Sequence, residues 1–579
     1  MSKLAMMLKQ ITRIAVVSAV CAVSLPAETG KTIFTLETGY RATTAGPILA
    51  TRDGRILWLT GGPDGMSPGT FAISRTELRE SRDGGLTWSA PRILLRGNKS
   101  VVPGSMALLE LRSGRLLHLT SLYGGYSQDH DVNKSLNEGY AQWSDDKGAT
   151  WSRPIKLPTG ERYLSSVLSA TQLSSGRIIF PFGYLVGQHG QFMVSSLYSD
   201  DDGVTWKRSP SVLDVTGTGF ESGATEPSVA ELPGGRLWMV IRAQTGFHWE
   251  SFSGDKGVNW TPAHESRFPA SNAPMVLLRL RSGRIIAVWN HSVQWAYARH
   301  VLVAAATDDG KNFFGFREID HTDYPLLTPE KYWGAMYPYL TEAADGTALV
   351  AYNFGDWNYN RAKLARLAPS WFEERALQED FSEGRSAWCR LGGSGDALIS
   401  PDDNEPGATL QVKQSGTALA GIVRNFPQIG HGVFRVEGSV NKGDGYLLWH
   451  DSFLYPGRVE ESCLRVRFAA DGRVFFGAGS PSRKSIEKPA WSPKYSYMAY
   501  PVNSEREYPV RWTAGKRFKL RVGCDTHSRT ASVSIDGGAV VKVDLGEILG
   551  LSYFGVAATQ GGNICVRRLS TSDSRAALP

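Results

Sequence analysis

Cysteine is scarce in this chain, with five among 579 residues. None forms a Cys-x-x-Cys pair and none stands beside a histidine run, so the common zinc-binding spacings are excluded and neither metal nor cofactor is expected. Long apolar runs are also missing. Beyond the first 27 residues no stretch is apolar enough for a membrane-spanning helix. No basic run interleaves with aromatics, and the formal charge of +7 drops to +4 once Lys3, Lys9 and Arg13 are set aside. Nucleic acid is therefore not the expected partner. Helical periodicity is absent between the strand-like segments, which excludes helical solenoids.

What is present begins with a leader pattern. Lys3, Lys9 and Arg13 precede an apolar Ile14–Val23 and Pro26-Ala27, so residues 1–27 are read as an export signal and the protein as exported. Cys21 leaves with that leader. Cys389, Cys463, Cys524 and Cys565 remain, all in the last third, compatible with one or two disulfides or with buried thiols. The remaining chain is too long for one core, so two domains are expected, at 28–372 and 373–579.

Two repeats run through the first domain. Ser-x-Asp-x-Gly-x-Thr-Trp occurs at Ser81–Trp88, Ser144–Trp151 and Ser199–Trp206, with a variant at Ser253–Trp260 and a weaker fifth copy at Ala306–Phe313 that keeps Asp308, Gly310 and Asn312. A Gly-Arg followed by an apolar strand recurs at Gly54, Gly114, Gly176, Gly235 and Gly283, and Gly346 opens a sixth copy without the arginine. Six such strands at steps of roughly 50–60 residues predict six four-stranded blades, and hence an all-β six-bladed β-propeller. The serine and aspartate of the box can bond the backbone of a tight turn and the glycine supplies positive φ, so the boxes read as structural. One carboxylate per box is too few oxygen ligands for calcium.

From about residue 375 both repeats stop. Leu464–Phe468 and Val474–Phe476 flank Ala470-Asp471-Gly472, Ala531–Ile535 and Val540–Val543 flank Asp536-Gly537-Gly538, and Ile564–Leu569 is the last candidate strand. Alternating strands with short turns predict an antiparallel C-terminal β-sandwich. The pattern resembles the concanavalin-like and laminin-G-like jelly rolls, which leaves sugar binding and a structural lid as open roles.

Residues 33 to about 360 resemble the sialidase superfamily, which carries five Asp boxes on a six-bladed propeller. That resemblance implies three arginines around a substrate carboxylate, a chemistry suited to guanidinium forks. Glu226-Pro227-Ser228-Val229 leads to Arg242, and Arg299-His300-Val301-Leu302 precedes the fifth box, so Arg242 and Arg299 match two of the three. Tyr40-Arg41-Ala42-Thr43 stands where sialidases have Tyr-Arg-Ile-Pro, which makes Arg41 the candidate third. Met336-Tyr337-Pro338-Tyr339-Leu340 matches the nucleophile segment. The implied roles are Tyr337 as nucleophile, Glu226 as its base and Asp64, in Gly61-Gly62-Pro63-Asp64-Gly65, as acid/base. The outcome would be retention by the tyrosine variant of the two-carboxylate scheme. Asp129-His130-Asp131 and His291 follow Gly-Arg strands where substrate contacts are expected, so Asp129, His130 and His291 join the binding candidates. Most have a plainer alternative: Glu226 and Arg242 as an ion pair, Arg299 at the surface, Tyr337 as a core or rim aromatic, Asp64 as a turn aspartate beside proline and glycine, and Asp129, His130 and His291 as polar residues of rim loops.

Three functions compete. The first is an exo-acting glycoside hydrolase acting on a glycan that ends in an acidic sugar, sialic acid first. The second is a polysaccharide lyase with His130 or His291 as base and Tyr337 as acid. The third is a non-catalytic carbohydrate-binding propeller.

Overall fold

The computed structural model describes residues 30–573 except 39–42, 63–74, 99, 128, 130, 166–167, 188–189, 216–222, 292–298, 323–333, 356–359, 383, 385–387, 393–395, 402–407, 415–419, 453–460, 487–494 and 503–504. Six antiparallel four-stranded sheets follow one another along the chain and form the propeller. Their innermost strands are Thr44–Ala50, Val102–Glu110, Thr171–Gln172, Thr225–Glu231, Met275–Arg279 and Gly334–Glu342, for blades 1 to 6. The ring closes with the N-terminal strand, Lys31–Thr35, which pairs with Asn360–Leu367 as the outer strand of blade 6. Apolar residues fill the gaps between blades, as where Leu57 and Leu59 of blade 1 meet Leu108 and Leu116 of blade 2.

The two repeats lie at one end of this ring. In the first box Ser81 Oγ donates to Asp83 (2.8 Å) and accepts from Gly85 N (2.8 Å), while Asp83 also accepts from Thr87 N (2.9 Å). The boxes at 144, 199 and 253 repeat this pattern. The fifth box departs from expectation. Its turn is one residue shorter, and the aspartate that caps it is Asp309, which accepts from Thr307 Oγ1 (3.1 Å) and Asn312 N (2.7 Å). Asp308 instead pairs with Arg284 at 2.9 Å. The Gly-Arg arginines face the same end: Arg55, Arg115 and Arg177 each donate to a backbone carbonyl of the next blade's box, at Lys147, Asp202 and Lys256. Repeats and stitching thus occupy one face, which leaves the opposite loops for a site.

The second domain is a two-sheet sandwich. One sheet contains Asp396–Pro401, Ala408–Lys413, Asn563–Asp573, His431–Lys442, Arg517–Asp525, Thr530–Ile535 and Val541–Asp544. The other contains Cys389–Gly392, Ala420–Ile429, Leu551–Ala558, Gly445–His450, Leu464–Phe468, Arg473–Ala478 and Glu505–Arg511. The central strands of the second sheet are buried on both faces. Ile422, Leu447, Trp449, Phe554 and Val556 point into the sandwich core, while their neighbours Val423, Leu448, Tyr553 and Ala557 pack on Phe313 and Phe316 of blade 5. Tyr553 Oη donates to Glu318 Oε1 across this seam (2.8 Å). All four cysteines remain thiols. The disulfide expectation is therefore replaced by the thiol one: Cys463, Cys524 and Cys565 are buried among separate packing partners, which burial alone accounts for.

Candidate active site

Proline in a first strand marks the propeller mouth. An innermost strand has only one hydrogen-bonded neighbour, so it tolerates the lost N–H of Pro47, Pro227 and Pro338. All three sit in bulges, where register slips between Ala45 and Ile48, Thr225 and Ser228, and Met336 and Tyr339. The residue before the proline is Gly46, Glu226 or Tyr337. Glu226 (φ 45°) and Tyr337 (φ 54°) are the two non-glycine residues with positive φ inside strands among the described residues. That backbone region is costly for a side chain and tends to be kept where geometry matters.

The two bulges feed one connected cluster. Arg242, at the end of Leu237–Arg242, donates from Nη1 to Glu226 Oε2 (2.6 Å) and from Nε to Asn272 Oδ1 (2.6 Å). Arg299 donates from Nη2 to the Asn272 carbonyl (3.4 Å), and its guanidinium lies 4.6 Å from the Tyr337 ring centre. Asn272 therefore joins the arginines of blades 4 and 5. Gly334 holds Arg299 close to blade 6, since a Cβ there would fall 1.9 Å from the Arg299 carbonyl oxygen. Glu226 is 5% exposed, whereas Arg242, Arg299 and Tyr337 keep partial access to solvent. Tyr339 is 8% exposed, and its hydroxyl reaches across to the Ser105 carbonyl (3.3 Å). Burial pushes its phenol well up, and the charges of Tyr337 and Glu226 add to the effect, which puts both residues in its neighbourhood. Of the two tyrosines in this segment, Tyr339 plugs the axis and Tyr337 faces the mouth.

The other candidates fare differently. Arg41, Asp64 and His130 lie outside the described residues. Sialidases carry Tyr-Arg-Ile-Pro in the first strand, and counting back from Pro47 puts that arginine's place on Ala45, four residues past Arg41. Asp129 is exposed in the loop of blade 2, where its carboxylate takes Ser127 Oγ (2.6 Å) and Lys134 Nζ (2.5 Å), and these bonds hold it well below the usual carboxylate range. His291 requires a correction. It is 0% exposed, packs against Trp289 and Phe316, and feels the charges of Asp451 and His450 in the sandwich, because the second domain covers that end of blade 5. Burial lowers its pKa to about 4, so it is a neutral seam residue and not a rim contact.

Sequence reasoning missed Asn272. Its Nδ2 has no hydrogen-bond partner although the residue is only 4% exposed. The sequence offers a polar Ser271-Asn272 before Ala273-Pro274, just ahead of the first strand of blade 5, which gives the place and not the role. It also missed an aromatic group beside the blade 2 loop, where Tyr126 stacks on Tyr163 at 4.9 Å and Tyr123 meets Tyr163 edge-on.

One group of metal-ligand side chains stands out among the described residues: His450, Asp451 and Cys463, all buried, with ligand atoms within 4.8 Å of one another. Their bonds favour a hydrogen-bonded cluster. His450 Nδ1 takes the Ser452 N–H (2.9 Å), and Tyr500 Oη donates to Asp451 Oδ2 (3.0 Å). His291 cannot complete a metal site as a neutral ring, because Trp289 Nε1 donates to its Nδ1 (3.1 Å) and leaves the proton on Nε2.

The BNR repeat-like domain matches residues 122–350. Over that span the chain is similar to the BNR-repeat proteins, the group to which its sialidase-like box repeats also point. A sialidase from Micromonospora viridifaciens is 26% identical over 369 residues, covering 58% of this chain and 52% of that protein, so the match spans about half the length of that curated relative. Among solved structures, a Trypanosoma rangeli sialidase in complex with sialic acid is 14% identical with a TM-score of 0.44, covering 94% of this chain and 96% of that one. A protein of unknown function from Dyadobacter fermentans is 18% identical with a TM-score of 0.44, covering 59% of this chain and 100% of that one.

Proposed function

We propose that this protein is an exported, exo-acting glycoside hydrolase of sialidase type. It removes a terminal carboxylate-bearing sugar, sialic acid first, with retention of configuration. The observation that carries the reading is the connected set Glu226–Arg242–Asn272–Arg299–Tyr337 at the propeller mouth. Arg242 and Arg299 bind the substrate carboxylate, and permanent charge suits both to that task. Tyr337 attacks the anomeric carbon. A neutral phenol approaches a carbon already bearing a carboxylate without the repulsion a carboxylate nucleophile would meet. Glu226 accepts the phenolic proton, and the Arg299 charge beside the ring favours the negative charge that develops. Arg41 as third cation rests on its neighbourhood in the chain, since the motif's own position holds Ala45, and Asp64 as acid/base rests on its place after the first Gly-Arg strand. Similarity to a curated sialidase supports the reaction class.

The lyase alternative loses one of its two bases, because His291 is sealed in the seam. The test is release of the reporter from a fluorogenic sialoside by the full chain. Tyr337→Phe and Glu226→Gln are expected to reduce turnover by about 10²-fold or more. Ultraviolet absorbance from an unsaturated end on uronic polymers, without sialoside cleavage, would assign the lyase. Glycan retention with neither signal would assign the binder.

A further inference from the structure

Away from the mouth, the seam between the domains holds a thiol, an imidazole and a carboxylate in series. Cys389 opens the sandwich strand Cys389–Gly392, and His321 closes the outer strand of blade 5, Phe313–His321. Cys389 Sγ lies 2.7 Å from His321 Nε2, and His321 Nδ1 lies 3.3 Å from Glu318 Oε2. Glu318 is itself fixed: its Oε1 accepts from Tyr553 Oη (2.8 Å) and its backbone N–H donates to Asn425 Oδ1 (3.0 Å). The carboxylate therefore orients the ring, and the ring's far nitrogen faces the sulfur, the order found wherever a side-chain nucleophile is activated by a base. Burial works against charge on His321, yet the charges of Cys389 and Glu318 and their hydrogen bonds outweigh it and hold the imidazolium well above the usual histidine range.

Access separates this thiol from the other three. Cys463, Cys524 and Cys565 are 1%, 4% and 4% exposed. Cys389 is half-buried, and the His321 side chain beside it is 30% exposed. Cys389 is thus the one thiol among the described residues that is not buried.

We propose that Cys389 is a nucleophilic thiol activated by His321 and Glu318, and a site of modification by small disulfides. The proton passes from sulfur to His321 Nε2. The sulfur then bonds to one sulfur of the incoming disulfide, the S–S bond breaks, and the leaving thiolate takes the proton back from His321. The products are a mixed disulfide at Cys389 and one free small thiol, with the incoming disulfide as oxidant. The site is independent of the sugar chemistry assigned to the mouth.

The test treats the native chain from Glu28 onward, which lacks Cys21, with the aromatic disulfide dithiobis(nitrobenzoate) and follows release of its coloured thiolate. One equivalent per chain is expected, mapped by peptide mass to Cys389, at a rate about tenfold or more above free cysteine at neutral pH. His321→Gln is expected to slow that step by about tenfold, and Glu318→Gln by less, at an unchanged thermal midpoint. If either variant unfolds, all four thiols react at once and the wild-type rate relative to free cysteine decides alone. No native reaction, a wild-type rate at or below that of free cysteine, or a folded His321→Gln variant as fast as wild type overturns the proposal.

Discussion

Arg242 is the residue on which the mouth turns, because its two donors reach Glu226 and Asn272 at once (both 2.6 Å). A lysine keeps the charge and loses the fork. Arg242→Lys is therefore expected to lower kcat/KM for a sialoside by about 10–100-fold, the loss of one or two charge-assisted hydrogen bonds, with fold retained by circular dichroism. Distinguishing Tyr337 from Tyr339 was within reach of the sequence, since only Tyr337 precedes a proline, as Glu226 does. Asn272 was not, because its part comes from bridging two arginines that lie 57 positions apart in the chain. Acid sensitivity is shared by three buried histidines, His118, His248 and His291, of which His118 is the one farthest from the seam and the mouth. His118 is 0% exposed, bonded through Nδ1 to Gln142 Nε2 (2.8 Å), and burial lowers its pKa to about 3. Below the ordinary histidine value of about 6.5 the unfolded chain takes a proton that the folded chain refuses, so stability falls as pH drops from there toward 3 and is level above it. Thermal midpoints across this range are expected to decline, and His118→Gln is expected to lessen the slope, the part left being that of His248 and His291. An equal slope in that variant would assign the acid sensitivity elsewhere.

At the scale of elements, the Asp boxes were the most legible feature, because each is a local turn whose bonds run within eight residues. The fifth copy shows the limit of pattern matching: its turn is one residue shorter, so the capping aspartate is Asp309 and not Asp308. The boxes lie at the end of the blades away from Glu226 and Tyr337. Asp201 accepts from Ser199 Oγ, Thr205 N and Thr205 Oγ1, so Asp201→Ala is expected to cost about 1–2 kcal/mol in chemical denaturation while leaving KM for a sialoside unchanged. A change in KM would mean that the boxes reach the mouth. The bulged first strands were half legible. Their prolines are plain in the sequence, but the positive φ of Glu226 and Tyr337 depends on register, which needs the neighbouring strand.

For the whole molecule, the blade count and the existence of a sandwich follow from repeat spacing and alternation, whereas the docking of the two domains does not. The signal was there in weak form: Leu447-Leu448-Trp449 and Tyr553-Phe554-Gly555-Val556 run apolar without alternation, as strands buried on both faces do. What such a strand packs against is a long-range fact. The consequence is that the propeller is not expected to stand alone. A chain ending at Glu373 uncovers Phe313, Phe316 and the fully buried His291, so it is expected to aggregate or to melt well below the full chain. A soluble truncated propeller with the full chain's thermal midpoint would contradict this. The seam also borders the mouth, because buried His248 lies near both His291 and Arg242.

The most direct test of the central claim, a tyrosine nucleophile beside two carboxylate-binding arginines, is peptide mass mapping after treatment with a fluorinated sialosyl fluoride that traps glycosyl-enzymes. The expected result is one adduct per chain, carried by Tyr337 and absent from Tyr337→Phe and from Arg242→Ala. An adduct on another residue, or full sialoside turnover by Tyr337→Phe, would contradict it.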